Sequence, residues 1–127
     1  MRLYTAVNGG RITGYLMQHS TSRGYANPLI FITGFDENRK IYRTDILISH
    51  ETPGLGDKID RRHGNFLDQF SGKELVNVGW DVKKFGGSFD YISGATVTSR
   101  AAVLAARDAL ELLQHTNPKS LSPCGSR

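Results

Sequence analysis

The sequence predicts a single α+β domain, an antiparallel β-sheet packed with a long C-terminal helix and short helices, and three observations predict it. Four apolar segments within residues 3–49 alternate at strand spacing and are separated by turn-forming residues. From about Thr98 to His115, Ala101, Ala102, Ala105, Ala106, Ala109, Leu110 and Leu113 recur at helical spacing. The length of 127 residues suits one hydrophobic core and is too short for two. Strands followed by a helix, rather than strict βαβ alternation, point away from a parallel sheet.

The elements follow in order. Leu3 to Val7 and Arg11 to Gln18 are expected strands, and Asn8-Gly9-Gly10 between them suits a tight hairpin because glycine tolerates positive φ. A third strand is expected from about Pro28 to Phe35. The polar turn Asp36-Glu37-Asn38-Arg39 joins it to a fourth, Ile41 to Ser49. A short helix is expected over Asp57 to Ile59, and another over residues 64–70, where Phe66, Leu67 and Phe70 share one face. Leu75 to Val78 and Trp80 to Val82 alternate as two short strands. A glycine-containing excursion, Lys83 to Asp90, then leads to the long helix. The domain is expected to occupy residues 1–115, with a polar tail over 116–127.

Two segments carry chemistry. Asp90-Tyr91-Ile92-Ser93-Gly94-Ala95-Thr96-Val97-Thr98-Ser99 is a hydroxyl- and glycine-rich turn running into the helix. Either Thr98 or Ser99 can cap it. The free N–H groups of a first helical turn, at the positive end of the macrodipole, suit an anion such as a phosphate held beside Thr96. Gly94 permits close backbone approach. Taken alone, the segment equally describes an ordinary capped helix. The second segment, His50-Glu51-Thr52-Pro53-Gly54-Leu55-Gly56-Asp57-Lys58, follows the apolar run Ile46-Leu47-Ile48. Pro53 fixes φ while Gly54 and Gly56 remove side chains on either side of Leu55, so the loop can lie flat against a planar ligand. By itself it also reads as a plain tight turn.

Together, and in this order, the two segments resemble the FMN-binding domains of Rnf complexes and of Na+-translocating NADH:quinone oxidoreductase, the RnfG and NqrC family. The G subunit of Rnf is the nearer resemblance. It covers most of residues 3–115, including Tyr4-Thr5-Ala6, Trp80, Val82, Lys83, Lys84, Gly86 and Gly87. Gly24-Tyr25-Ala26-Asn27 also resembles a family segment, which makes Tyr25 either a contributor to the flavin pocket or a core aromatic. The resemblance implies that Thr96 carries FMN covalently through a phosphodiester, with Asp90, Ser93, Gly94, Ala95, Thr98 and Ser99 around it. On chemistry alone Thr98 and Ser93 are rival acceptors. It also implies that Glu51, Thr52, Pro53, Gly54, Leu55 and Gly56 line the isoalloxazine side. Lys83 or Lys84 would lie near the phosphate or ring, with Lys84 preferred.

The function implied is electron relay within a membrane-bound complex that couples electron transfer between ferredoxin and NAD to ion translocation. Partners would be the other Rnf-type subunits, together with a flavin transferase that uses FAD and Mg2+. The family's G subunits sit on the bacterial inner membrane through an N-terminal helix, with the flavin domain on the periplasmic side. Met1-Arg2-Leu3-Tyr4-Thr5 instead leads straight into strand-like sequence. An anchor-less portion is therefore expected here, with a free-standing soluble relative as the other reading. The alternative function is a free-standing, non-covalent FMN-dependent oxidoreductase, and a third is a flavin-free binding or scaffold domain.

Composition excludes other classes. The net charge of +4 comes from 16 basic residues interleaved with 12 acidic ones, and no basic stripe with stacking aromatics suggests nucleic acid. Cys124 is the single cysteine, so neither an internal disulfide nor a thiolate metal cluster is available. His19, His50, His63 and His115 are not spaced as metal ligands, and no metal site is expected. Gly54-Leu55-Gly56 lacks the third glycine of a dinucleotide fingerprint. No side-chain acid–base pair suggests a catalytic residue, so substrate turnover by the domain alone is not expected.

Overall fold

The computed structural model describes residues 2–23, 28–47 and 58–124. Five strands form one sheet in the order β4-β3-β2-β1-β5. They are β1 (Arg2–Asn8), β2 (Arg11–Thr21), β3 (Leu29–Asp36), β4 (Ile41–Leu47) and β5 (Ser122–Cys124). The expected meander is present, since β1 to β4 pair antiparallel with consecutive neighbours. Gly9 and Gly10 form the two-residue hairpin loop at φ 59° and 77°, the mirror-image turn that matches strand twist. At the β3–β4 corner, Asp36 Oδ1 accepts from the backbone N–H of Asn38 at 2.9 Å and of Lys40 at 3.0 Å. That local bonding explains why the polar run turns there.

One face of the sheet is buried against the helix α1 (Thr96–Gln114). Strand alternation selects that face: Tyr15, Met17 and His19 of β2, then Leu29, Phe31, Thr33 and Phe35 of β3. The helix meets them mainly through alanines, Ala101, Ala102, Ala105, Ala106 and Ala109, with Val103, Leu110 and Leu113 fully buried. Small side chains let it lie close to the sheet. Phe66, Leu67 and Phe70, on a 3-10 turn over Phe66–Phe70, close the core beside Ile59, Val82 and Phe89. Phe70 and Trp80 both pack against Phe89, at centroid distances of 5.4 and 4.9 Å.

Four expectations change. The sheet is mixed, because residues 122–124 of the expected tail return as β5 and pair parallel with Tyr4 to Ala6. A parallel edge strand leaves no hairpin signal in sequence. Leu75 to Val78 is a turn, with Asn77 at φ 62°. The Trp80 indole N–H donates to the Glu74 and Leu75 carbonyls at 3.2 and 3.1 Å, consuming acceptors that a strand would share with a neighbour. Trp80 to Val82 is likewise no strand, contributing only a bridge from Val82 to Phe89. A 3-10 turn forms over Arg61–His63, capped by the Asp60 carboxylate, while Lys58 and Ile59, within the short helix expected over 57–59, form a turn.

Candidate functional site

The turn before α1 is held from three sides. The Gln69 side chain brackets Asp90, its Oε1 accepting the Asp90 N–H at 2.7 Å and its Nε2 donating to the Asp90 carbonyl at 3.2 Å. Gly94, at φ 81°, reverses the chain, and Ala95 N–H closes the turn on the Ile92 carbonyl at 2.9 Å. Lys58 Nζ donates to the Gly94 carbonyl at 3.2 Å. Lys58 ends the Pro-Gly-Leu-Gly segment, so the last residue of one motif touches the backbone of the other.

The helix begins earlier than the sequence suggests. Its cap is Ala95, which has no side-chain oxygen to offer and makes no capping bond. Thr98 and Ser99 are not caps; they lie inside the first turn, 2% and 0% exposed. The Ser99 hydroxyl donates to the Ala95 carbonyl at 2.7 Å and accepts the Ile92 N–H at 3.1 Å. It pins the turn to the helix from within. With no side-chain cap and no acidic residue in the first turn, the leading N–H groups remain available to an anion.

Thr96 is half-buried and lines a hollow of about 530 Å³ with Arg23, Lys84, Phe85, Val97, Arg100 and Leu104. That volume lies within the range of small-molecule sites. Among the described residues, no acidic side chain lines it. Arg100 is fixed by bonds of 2.9, 3.2 and 3.0 Å to both oxygens of Asp81, which holds the Asp81 carboxyl below its ordinary range. Arg23 pairs with Asp108 at 2.6 Å. Lys83 turns to the Asp90 carboxylate at 2.8 Å, leaving Lys84 as the member of that pair which lines the hollow.

The hydroxyls near the turn thus differ in setting: Thr98 and Ser99 are enclosed, Ser93 is exposed beside the exposed Gly94, and Thr96 sits at the hollow. Asp90 is occupied by Lys83 rather than by the hollow. Glu51, Thr52, Pro53, Gly54, Leu55 and Gly56, with Tyr25 and His50, lie outside the described residues. Sequence reasoning missed Arg23, Phe85 and Arg100. Arg100 had a signal, standing four residues after Thr96 and hence on the same helical face. Arg23 is remote in sequence and had none.

The residues fit a flavin mononucleotide. An uncapped helix start with Lys84 beside it suits a phosphate, and the apolar side chains Phe85, Val97 and Leu104 suit a planar ring. Among the described residues, no helix is long and apolar enough to cross a membrane.

Residues 24–111 match the family described as FMN-binding domain. The chain is also similar to proteins named as the G subunit of an ion-translocating oxidoreductase complex. That of Yersinia pestis is 37% identical over 98% of this chain and 62% of its own length. That of Vibrio vulnificus is 40% identical over 89% of this chain and 55% of its own length. For Escherichia coli O157:H7 the values are 36%, 95% and 60%. The chain therefore spans 55–62% of the length of these relatives.

Proposed function

The chain belongs to the FMN-binding domain family, and from that premise we propose that it is the flavin-carrying part of an Rnf-type G subunit, relaying electrons through FMN tethered at Thr96. The observation that carries this is the placement of a half-buried threonine at an uncapped helix start, beside a hollow lined by cations and, among the described residues, free of acids. The similarity to named subunits of ion-translocating oxidoreductase complexes supports the wider role. In that role the complex couples electron transfer between ferredoxin and NAD to ion movement. Its other subunits deliver and collect the electrons. The domain faces the periplasmic side of the inner membrane.

The residues divide the task. Thr96 Oγ1 forms the phosphodiester; the first-turn N–H groups and Lys84 hold its remaining negative charge. Ser99 keeps the turn rigid through Ala95 and Ile92. Gly94 gives the backbone its reversal, and Asp90 with Ser93 presents the turn to a flavin transferase. The resemblance assigns Glu51 to Gly56, from the other motif, to the ring side. The bound flavin supplies the chemistry, accepting a hydride or single electrons. The transferase supplies the tether from FAD with Mg2+: the Thr96 oxygen bonds to the flavin-side phosphorus, the pyrophosphate bond breaks, AMP leaves, and the Thr96 hydroxyl proton is released. The flavin site belongs to residues 1–115, to which residues 122–124 add an edge of the sheet.

Co-expression with the transferase should add the mass of FMN minus one water, and Thr96→Ala should abolish the addition. An unchanged addition in that variant would move the tether to Ser93, the exposed hydroxyl of the turn. Acid precipitation distinguishes the modes, because tethered flavin stays in the pellet. Flavin released to the supernatant, with saturable NADH oxidation by the isolated domain, would favour the free-standing oxidoreductase.

A further inference from the structure

We infer that Phe85, backed by the Arg100 guanidinium, is a stacking wall for the planar ring of the flavin carried at Thr96, an inference that rests on the proposed flavin site. Phe85 is 54% exposed, although the core a few residues away buries Phe66, Phe70 and Phe89 almost completely. Its exposure is not that of a loose loop. It ends the 3-10 turn Lys83–Phe85, whose backbone is fixed by Phe85 N–H to Val82 at 2.9 Å, Gly86 N–H to Lys83 at 3.1 Å and Gly87 N–H to Val82 at 3.0 Å.

The Arg100 guanidinium carbon lies 4.5 Å from the Phe85 ring centroid, within the range of a cation–π contact. Arg100 cannot readily leave, because Asp81 grips it through both carboxylate oxygens. One face of the phenyl ring is thereby covered by a cation held in place, and the ring still lines the hollow that Thr96 enters. The hollow is divided in its chemistry. Lys84 supplies charge for an anionic group, while Phe85, Val97 and Leu104 supply apolar surface for a flat one. A flavin mononucleotide has both parts in one molecule. Offset stacking of an electron-poor ring on a phenyl ring is favourable, and the cation behind that ring favours extra negative charge on its partner. Asp81 is a positioning residue in this arrangement, acting only through Arg100.

The test uses the chain flavinylated by co-expression and confirmed by mass, alongside the unflavinylated chain titrated with free FMN. In Phe85→Trp an indole against the ring quenches flavin emission, so a several-fold loss of fluorescence per flavin is expected relative to the native chain. Tyr42→Trp, at a residue 73% exposed that does not line the hollow, should leave emission unchanged. Phe85→Ala should weaken free FMN binding about tenfold, with circular dichroism confirming the fold. Native emission in Phe85→Trp together with native FMN affinity in Phe85→Ala would overturn the inference. Absence of any mass addition in the native chain would defeat the tether alone, and the free-FMN titration would still decide whether Phe85 forms the wall.

Discussion

His19 shows how one buried residue sets a response to pH. Its side chain enters the core from β2, and Nε2 shares a hydrogen bond of 2.7 Å with Thr33 Oγ1, which in turn pairs with Thr44 at 3.2 Å. The imidazole also stacks on Phe31 at 5.6 Å. Burial lowers its pKa from 6.5 to about 4, and the Asp108 carboxylate on α1 opposes this only in part. The folded form therefore keeps His19 neutral where the unfolded chain already binds a proton. Stability should fall as pH drops from about 6.5 to about 4, by about 3 kcal/mol in total. Urea unfolding across that range measures it, and His19→Gln should flatten the slope. Asp45 and Asp81 act in a separate window. Hydrogen bonds from Arg43 and Arg100 hold their carboxyls low, so their contribution is present above 3.8 and lost below it.

Among the elements, the excursion from Gly79 to Phe89 does the most to shape the site. It doubles back on itself through Ser88 N–H to Gly79 at 2.9 Å, Phe89 N–H to Asp81 at 3.1 Å and Lys83 N–H to Phe89 at 2.8 Å. The close approach depends on Gly87, where a Cβ would fall inside the Asp81 carbonyl. Gly87→Ala must push the two limbs of the excursion apart and displace Asp81 from Arg100. A loss of about 2 kcal/mol is expected by urea denaturation, in the range of overpacked sites. The FMN affinity of the variant should fall with it. By contrast Gly86→Ala meets no neighbouring atom, and only its φ of 85° opposes the change, so its cost should be smaller, about 1 kcal/mol.

For the molecule as a whole, β5 links the C-terminal segment to the first strand. Leu121 packs against the core, and Ser122–Cys124 complete the outer edge beside β1. Deleting residues 116–127 removes that cover and the contact of one partly buried leucine with the core. A fall of about 2 kcal/mol in unfolding free energy is expected. Flavin addition at Thr96 should persist in the truncated chain, because none of the described residues among them lines the hollow. Loss of flavinylation in a chain that remains folded would instead place part of the site beyond residue 115.

Whatever depends on near neighbours was legible in the sequence. Alternation placed β1 to β4, the paired glycines placed the first hairpin, and the alanine spacing placed α1, because strand and helix periods act over a few residues. The Ser-Gly-Ala-Thr turn was visible for the same reason. The tertiary structure alone decided the start of the helix, since the Ser99 hydroxyl is drawn back to Ala95 and Ile92 rather than used as a cap. It also turned Lys83 toward Asp90 and left Lys84 at the hollow, a difference between adjacent lysines that packing sets. Arg23 and Phe85 reach Thr96 from 73 and 11 residues away in the numbering. Such meetings are products of packing the sheet, the excursion and the helix together, and no local periodicity encodes them.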